Sequence, residues 1–292
     1  MSIKLNAPAK LNLFLHVTGK RSDGYHLLDS IICFTDYNIS DIIELSEIKS
    51  SKNKGEISFE ISGEFANIIG DLKNNLVIKA AENFLRKYNL TSKSVAIKLE
   101  KNIPIGAGLG GGSSDAAAIL KGLNQFFDIG ANKKDLAQLG LALGADVPMF
   151  IYDDSFLRIS GIGEIIEPVR LPKMAALIIY PQIFISSAGI YKSGIKTYSG
   201  NATKLVKFSK AQELATYLES CTNDLYENAR KQSGIIKEVI ELIAIQEYCL
   251  YSAMSGSGSA CFGLFANIND AKNAAEKISA KHPEWWVKST NL

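Results

Sequence analysis

Apolar and polar positions alternate from Ile3 to Val17, with Leu11, Leu13, Leu15 and Val17 on one face and Lys10, Asn12, Phe14 and His16 on the other. A period of two predicts a strand, and Pro8 implies an edge, a bulge or a break in it. A polar turn containing Gly24, Tyr25 and His26 leads into a second strand-like run over 27–34. Further strands are expected at 41–45 and 56–61, joined by a lysine- and serine-rich stretch that reads as a solvated hairpin tip. Leu76, Val77, Ala80, Ala81, Phe84, Leu85 and Tyr88 then recur at helical spacing behind two possible caps, Asn74 and Asn75. Val95, Ile97 and Leu99 alternate as a strand running into a glycine-rich stretch.

That stretch reads Pro104, Ile105, Gly106, Ala107, Gly108, Leu109, Gly110, Gly111, Gly112, Ser113, Ser114. Five glycines in seven positions would weaken any helix or strand, and they suit a loop that a ligand approaches closely. Ser113, Ser114 and Asp115 are capping residue types, and Ala116, Ala117, Ile119, Leu120, Leu123 and Phe127 follow at helical spacing. The loop therefore feeds a helix N-terminus, where free N–H groups and the positive end of the dipole favour an anion such as phosphate. A Walker A loop is excluded because no lysine follows the last glycines. Gly106, Gly108 and Gly111 match G-x-G-x-x-G, but the downstream acidic residue that closes a second strand in a dinucleotide fold is missing. A purely structural turn is the plainer alternative.

Asn132 and Asp135 open another helix, with apolar positions 136, 139 and 143 and Gly144 as its expected end. Asp146 follows at a helix-to-strand corner before the apolar stretch 147–151. It either makes the turn or, if partly buried, needs a partner. A domain junction is expected near the turn at 161–164. A buried strand over 175–180 follows, then a helix entered at Ser186 and Ser187 that carries Tyr191. Helices are expected near 210–220, 223–232 and 235–246, and a strand over 249–254. The second glycine loop, Ser255, Gly256, Ser257, Gly258 and Ser259, leads into a strand at 260–265. Those glycines suit a tight turn or one wall of a cleft. A last helix near 270–281 and the Trp285–Trp286 segment read as packing elements.

Composition narrows the field. The 292 residues can bury a large core, and 32 basic residues nearly cancel 30 acidic ones, so any attraction for phosphate is local. This gives no reason to expect a nucleic acid or membrane partner. Cys33, Cys221, Cys249 and Cys261 are scattered without zinc spacing, as expected of reduced thiols in a cytoplasmic protein. The early lysines lie within a strand-like pattern rather than ahead of an apolar segment, which speaks against a secretion signal. No apolar run approaches a membrane span.

Three separated motifs, Pro8 to Leu13, Pro104 to Ser114 and Met254 to Ser259, occur in the order found in the GHMP kinases, and the chain resembles that family over nearly its whole length. The resemblance implies an α+β, two-domain fold, residues 1–160 and 161–292, with the active site in the cleft between domains. The segments at 10–13, 21–26 and 143–150 narrow it to the branch that phosphorylates the 2-hydroxyl of 4-diphosphocytidyl-2-C-methyl-D-erythritol with ATP in the non-mevalonate isoprenoid pathway. By resemblance Lys10 and Asp146 form the catalytic pair, and residues 104–114 wrap the triphosphate. Asn75 and Lys101 lie near the nucleoside. Tyr25 and Tyr191 sandwich the cytosine, and His26 bonds its edge. Asn12 and Ser187 are further substrate contacts. ATP implies Mg2+, for which the sequence shows no clear protein ligand; Asp115 is expected to favour the helix start rather than a metal. The rivals are another small-molecule kinase or the decarboxylase branch of the same superfamily, and a silent nucleotide sensor.

Overall fold

Pro8 does interrupt the first strand pattern: β1 (Ser2–Pro8) and β2 (Lys10–Lys20) are separate strands in different sheets. The computed structural model describes residues 2–48, 54–68, 75–152, 154–195, 197–202 and 207–292. The chain forms two compact units, one of Met1–Ala9, Ile39–Ile105 and Gly110–Asp153, the other of Lys10–Asn38, Gly106–Leu109 and Asp154–Leu292. These units do not follow a single cut at residue 160, since 10–38 and 106–109 group with the second. The strand after β2, β3 (His26–Phe34), pairs along its length with β7 (Phe156–Gly161), so backbone hydrogen bonding carries the whole β2–β3 ribbon into the second unit.

The first unit is built on one sheet. Its strands are β1, β4 (Ser40–Glu47), β6 (Val95–Glu100) and β5 (Ile57–Ser62), in that order. The hairpin expected between 41–45 and 56–61 is not formed, because β4 and β5 flank β6 on opposite sides, β4 antiparallel and β5 parallel. Part of the expected tip, 49–53, lies outside the described residues, as does Asn74. Asn75 caps α1 (Leu76–Lys87), accepting the Val77 N–H at 2.9 Å. The apolar stripe of that helix, Val77, Ala80, Ala81, Phe84 and Leu85, is buried. The glycine segment feeds α2 (Gly111–Phe126), which packs on β1, β4 and α1. A Cβ at Gly122 would overlap Leu5 and stand 2.7 Å from Leu45 Cδ1, so glycine sets how closely this helix approaches the sheet. Asn132 caps α3 (Lys133–Leu141) through the Asp135 N–H at 2.9 Å. That helix ends at Ala142 rather than Gly144, and the apolar stretch beyond Asp146 is a 3-10 turn (Pro148–Ile151) rather than a strand.

Two sheets form the second unit. One orders β2, β3, β7 and β8 (Ile165–Pro168); the other orders β10 (Tyr251–Met254), β11 (Cys261–Phe265), β9 (Ala175–Tyr180) and β12 (Trp286–Asn291). The Trp285–Trp286 segment thus opens an edge strand on β9. Among the described residues five helices accompany the sheets: α4 (Ser187–Lys192), α5 (Ala211–Glu219), α6 (Tyr226–Gln232), α7 (Ile235–Ala244) and α8 (Ile268–Lys281). Leu15 and Val17 of β2 share one buried cluster with Leu177, Ile179, Ile236, Val239 and Ile243. Each such aliphatic side chain contributes about 1.5–3 kcal/mol through burial.

The polar face read along β2 is buried as well. His16 is interior because its ring is satisfied from two sides, with Nε2 accepting the Thr222 N–H at 3.1 Å and Nδ1 lying 3.2 Å from the Gly200 carbonyl.

Candidate active site

Within the second unit, parts of the three sequence motifs meet, at 10–13, 106–109 and 254–259. Lys10 opens β2, and its N–H donates to the Leu109 carbonyl at 2.9 Å, tying the first motif to the second. Its ammonium donates to Asn12 Oδ1, and Asn12 Nδ2 donates to Ser30 Oγ at 2.9 Å. A register shift between Asn12 and Phe14 accompanies this polar pair. Both side chains are buried, so neither head group is held by bulk water.

The third motif closes the cluster. Ser255 Oγ accepts the Asn12 N–H at 3.2 Å and donates to the Gly108 carbonyl at 3.1 Å, while the Ala260 N–H donates to the Ala107 carbonyl at 3.0 Å. Gly108 has φ +79°, and a Cβ there would overlap the Ser255 carbonyl oxygen. Only glycine permits both the angle and the approach. At Gly256 a Cβ would lie 3.1 Å from Lys10 Nζ and 3.2 Å from Asn12 Oδ1. The second glycine loop thus lies directly against the lysine and asparagine head groups.

Ser187, at the start of α4, reaches the same loop, with its Oγ 2.6 Å from Ser257 Oγ. Sequence reasoning did not pick out Ser30 or Asn223, and it named Ser255 and Ser257 only as members of the third motif. Asn223 Nδ2 fastens the third motif by donating to the Met254 and Gly256 carbonyls at 2.9 and 2.8 Å. The Ser255–Ser259 composition was a usable signal; a lone asparagine between helices was not.

His26 stacks on Tyr191, with ring centroids 5.1 Å apart and an interplanar angle of 28°. Burial and the nearby Lys20 hold the His26 ring below its ordinary value, so it is neutral at neutral pH. Tyr25 stands at the turn beside them and is 57% exposed. The structure thus brings His26 and Tyr191 together and leaves Tyr25 open to solvent.

In the first unit, Gly110 is the N-cap of α2, in a left-handed conformation with φ 71° and no side-chain cap bond. This corrects the expectation that Ser113, Ser114 and Asp115 cap the helix; all three lie inside it. A left-handed residue turns the chain into the helix while leaving no side chain across the first N–H groups. Ser113 is half-buried, whereas Ser114 and Asp115 are buried.

Lys101 is turned inward. Its ammonium pairs with Asp41 and, at 2.6 Å, with Asp115 Oδ2, so its charge is engaged by two carboxylates. Burial alone would lower the Lys101 value, but Asp115 and Asp41 outweigh it and hold it above the ordinary range. Asp146, in the turn before Pro148, is half-buried.

A family model of the GHMP kinases N terminal domain matches residues 75–154, and one of the GHMP kinases C terminal matches residues 205–284. The chain belongs to the GHMP kinase family and is a small-molecule kinase. It is 37% identical over 292 residues to the 4-diphosphocytidyl-2-C-methyl-D-erythritol kinase of Paramagnetospirillum magneticum, covering 100% of this chain and 99% of that protein. The protein of the same name from Dinoroseobacter shibae is 39% identical over 289 residues, covering 98% of this chain and 93% of the relative.

Among solved structures, a 4-(cytidine 5'-diphospho)-2C-methyl-D-erythritol kinase superposes with TM-score 0.75 at 29% identity, covering 99% of this chain and 100% of that one. A mevalonate kinase at 16% identity shares the fold, with TM-score 0.68 and coverage of 100% and 98%.

Proposed function

We propose that the chain transfers the γ-phosphoryl group of ATP to the 2-hydroxyl of 4-diphosphocytidyl-2-C-methyl-D-erythritol, a step toward isoprenoid precursors by the non-mevalonate route. The observation that carries the reading is the convergence of Lys10, Asn12, Gly108 and Ser255 on one buried polar cluster, in a chain matched end to end by relatives bearing that name.

Phosphoryl transfer asks the protein mainly for alignment and charge stabilisation. Asn12 fixes the Lys10 ammonium, so the cation is held in place before the reaction, which is what makes it effective against charge developing on the transferred group. Asp146 accepts or orients the proton of the acceptor hydroxyl. Residues 104–114 enclose the triphosphate, with the uncapped start of α2 supplying backbone donors. Asn75 lies by the nucleoside. Lys101 serves the same region through its two carboxylate partners.

Tyr25 and Tyr191 stack on the cytosine, and the neutral His26 ring bonds its edge. Ser187 and Asn12 complete the substrate contacts. The exposed ring of Tyr25 suits this role, since a stacking face must be open to receive a base.

Mg2+ would accompany ATP and neutralise its phosphate oxygens. It is bound in such sites through one or two protein oxygens plus the phosphates. Among the described residues no group of three or more histidine, cysteine or acidic side chains is arranged for a metal, and Asp115 already gives one oxygen to Lys101. A dedicated protein cage does not fit these residues, so no step is assigned to the ion. Among the described residues no helix is long and apolar enough to cross a membrane, and we place the enzyme in the cytoplasm with small molecules as its partners.

A coupled assay of ADP release comparing the diphosphocytidyl substrate with mevalonate, homoserine and galactose tests the proposal. A strong preference for the first is expected. Equal or better use of any of the others would overturn it.

A further inference from the structure

A buried network of three ionisable side chains lies beneath the start of α2, and the phosphoryl transfer makes no direct use of it. Asp41 stands at the head of β4, Lys101 just past the end of β6, and Asp115 on the second turn of α2; their side chains are at most 4% exposed. Asp41 Oδ1 accepts the N–H groups of Asn102 and Ile103 at 2.6 and 2.8 Å, and its Oδ2 takes the Lys101 ammonium. Lys101 then reaches Asp115 Oδ2 at 2.6 Å. The network therefore joins residues 101–103, which lead into the glycine segment, to the helix that leaves it.

A Cβ at Gly111 would stand 3.0 Å from Lys101 Nζ and 3.1 Å from Ile103 Cγ2, so the first helical residue sits directly on the network. Asp115 Oδ1 is buried without a hydrogen-bond partner among the described residues.

Stability explains this arrangement poorly. Taking charged and polar side chains out of water is costly, and well-packed apolar side chains in their place are often no less stable. What a buried ionic network can supply instead is a single fixed arrangement of the backbone it bonds. The backbone here is glycine-rich and loses the most freedom on ordering, and the first turn of α2 has no side-chain cap to hold it.

We propose that Asp115 is a positioning residue for the triphosphate: with Lys101 and Asp41 it fastens the first turn of α2 to residues 101–103, so that the N–H groups of Gly111, Gly112 and Ser113 are held in place for phosphate. This rests on the reading of the glycine segment as the triphosphate site. Asp115 itself touches no ligand; it acts through the backbone it fixes.

The test measures dissociation constants for ATP and for adenosine by calorimetry, with melting curves, on the wild-type chain and on Asp115→Ala, Asp115→Asn and Lys101→Met. Asp115→Ala should weaken ATP by about 10-fold or more, the scale of one lost charge-assisted hydrogen bond, and leave adenosine within about twofold. Asp115→Asn, whose amide oxygen still accepts from Lys101, should recover most of the loss. Lys101→Met should match Asp115→Ala for ATP, and the double variant should be no worse than either, because all three changes open one network.

Wild-type affinity for ATP in Asp115→Ala overturns the proposal, as does equal weakening of ATP and adenosine, the mark of a merely structural role. If Asp115→Ala does not fold, Asp115→Leu, which fills the same buried space with an apolar side chain, decides the matter on the same criteria. If the wild-type chain binds ATP no more tightly than adenosine, the triphosphate reading of the glycine segment fails and takes the proposal with it, an outcome distinct from failure of the network alone.

Discussion

Replacing Gly112 by alanine separates what the fold needs from what a nucleotide needs. Gly112 is exposed on the first turn of α2, and a Cβ there would meet only Leu76 Cδ1, at an ordinary 3.9 Å. Alanine is favoured over glycine in a helix by about 0.5–1 kcal/mol, which at this chain length raises Tm by about 1–3 °C. If the adjacent N–H groups cradle the triphosphate, the added methyl keeps a phosphate from close approach. Losing one charge-assisted hydrogen bond costs about 1.5–3 kcal/mol, or about 10- to 100-fold in ATP affinity.

Gly108→Ala is the counterpart. Its φ of +79° and the overlap with the Ser255 carbonyl should cost about 2 kcal/mol or more through left-handed strain and steric push, lowering Tm by about 4–8 °C. Calorimetric ATP titration beside thermal melts reads both quantities. Gly112→Ala binding ATP as tightly as wild type would refute the backbone cradle, and an unchanged melt for Gly108→Ala would refute the packing of the second motif on the third.

Asp146→Asn should bind ATP within about twofold of wild type and lose most turnover; near-normal kcat in a steady-state assay removes its assigned role. Tyr25→Ala should raise KM for the cytidine substrate about 10-fold through lost stacking with little change for ATP, and equal effects on both would undo the stacking assignment. His26 sits below its ordinary value, so KM for that substrate should be flat above about pH 6.5 and rise only as the ring protonates at lower pH; a rise centred above pH 7 would contradict a neutral ring. Burial pushes Asp115 up to about 8 against the pull of Lys101, compared with roughly 3.9 in the unfolded chain. The native state therefore holds the extra proton between those values. The stability Asp115 contributes is full below about pH 4 and is lost as pH rises through about 8. Urea midpoints across that range should fall with pH in the wild type and flatten in Asp115→Asn; parallel curves would contradict the raised value.

Local patterns carried much of the fold into view. Period-two alternation located β2 and β6, the helical stripe of α1 ended on the buried side as spaced, and Asn75 and Asn132 cap the helices they precede. What depended on distant partners was hidden. Nothing within 41–61 reveals that β6 inserts between β4 and β5, because pairing is decided by a strand about 40 residues on. The alternation in β2 separates two faces without saying that both are interior; the polar face is buried with its own hydrogen-bond partners from Ser30, Gly200 and Thr222.

The candidate site divides in the same way. Lys10, Asn12 and the two glycine loops were legible as motifs, and their mutual bonding within one unit follows from coordinates alone. Asp41 was read only as a strand residue, yet it ends the charge network under α2; no spacing rule links it to Lys101 and Asp115. Gly110 displaced the serines as the helix cap because its left-handed conformation starts the helix three residues earlier than capping by Ser113 would.

The most direct test of the central claim is a phosphorus-31 NMR spectrum of the wild-type enzyme turning over ATP and 4-diphosphocytidyl-2-C-methyl-D-erythritol. Transfer to the 2-hydroxyl predicts ADP and a new phosphomonoester at that oxygen in equal amounts, with the diphosphate bridge of the acceptor untouched. ADP formed with no new ester, or an ester at another oxygen, would contradict it.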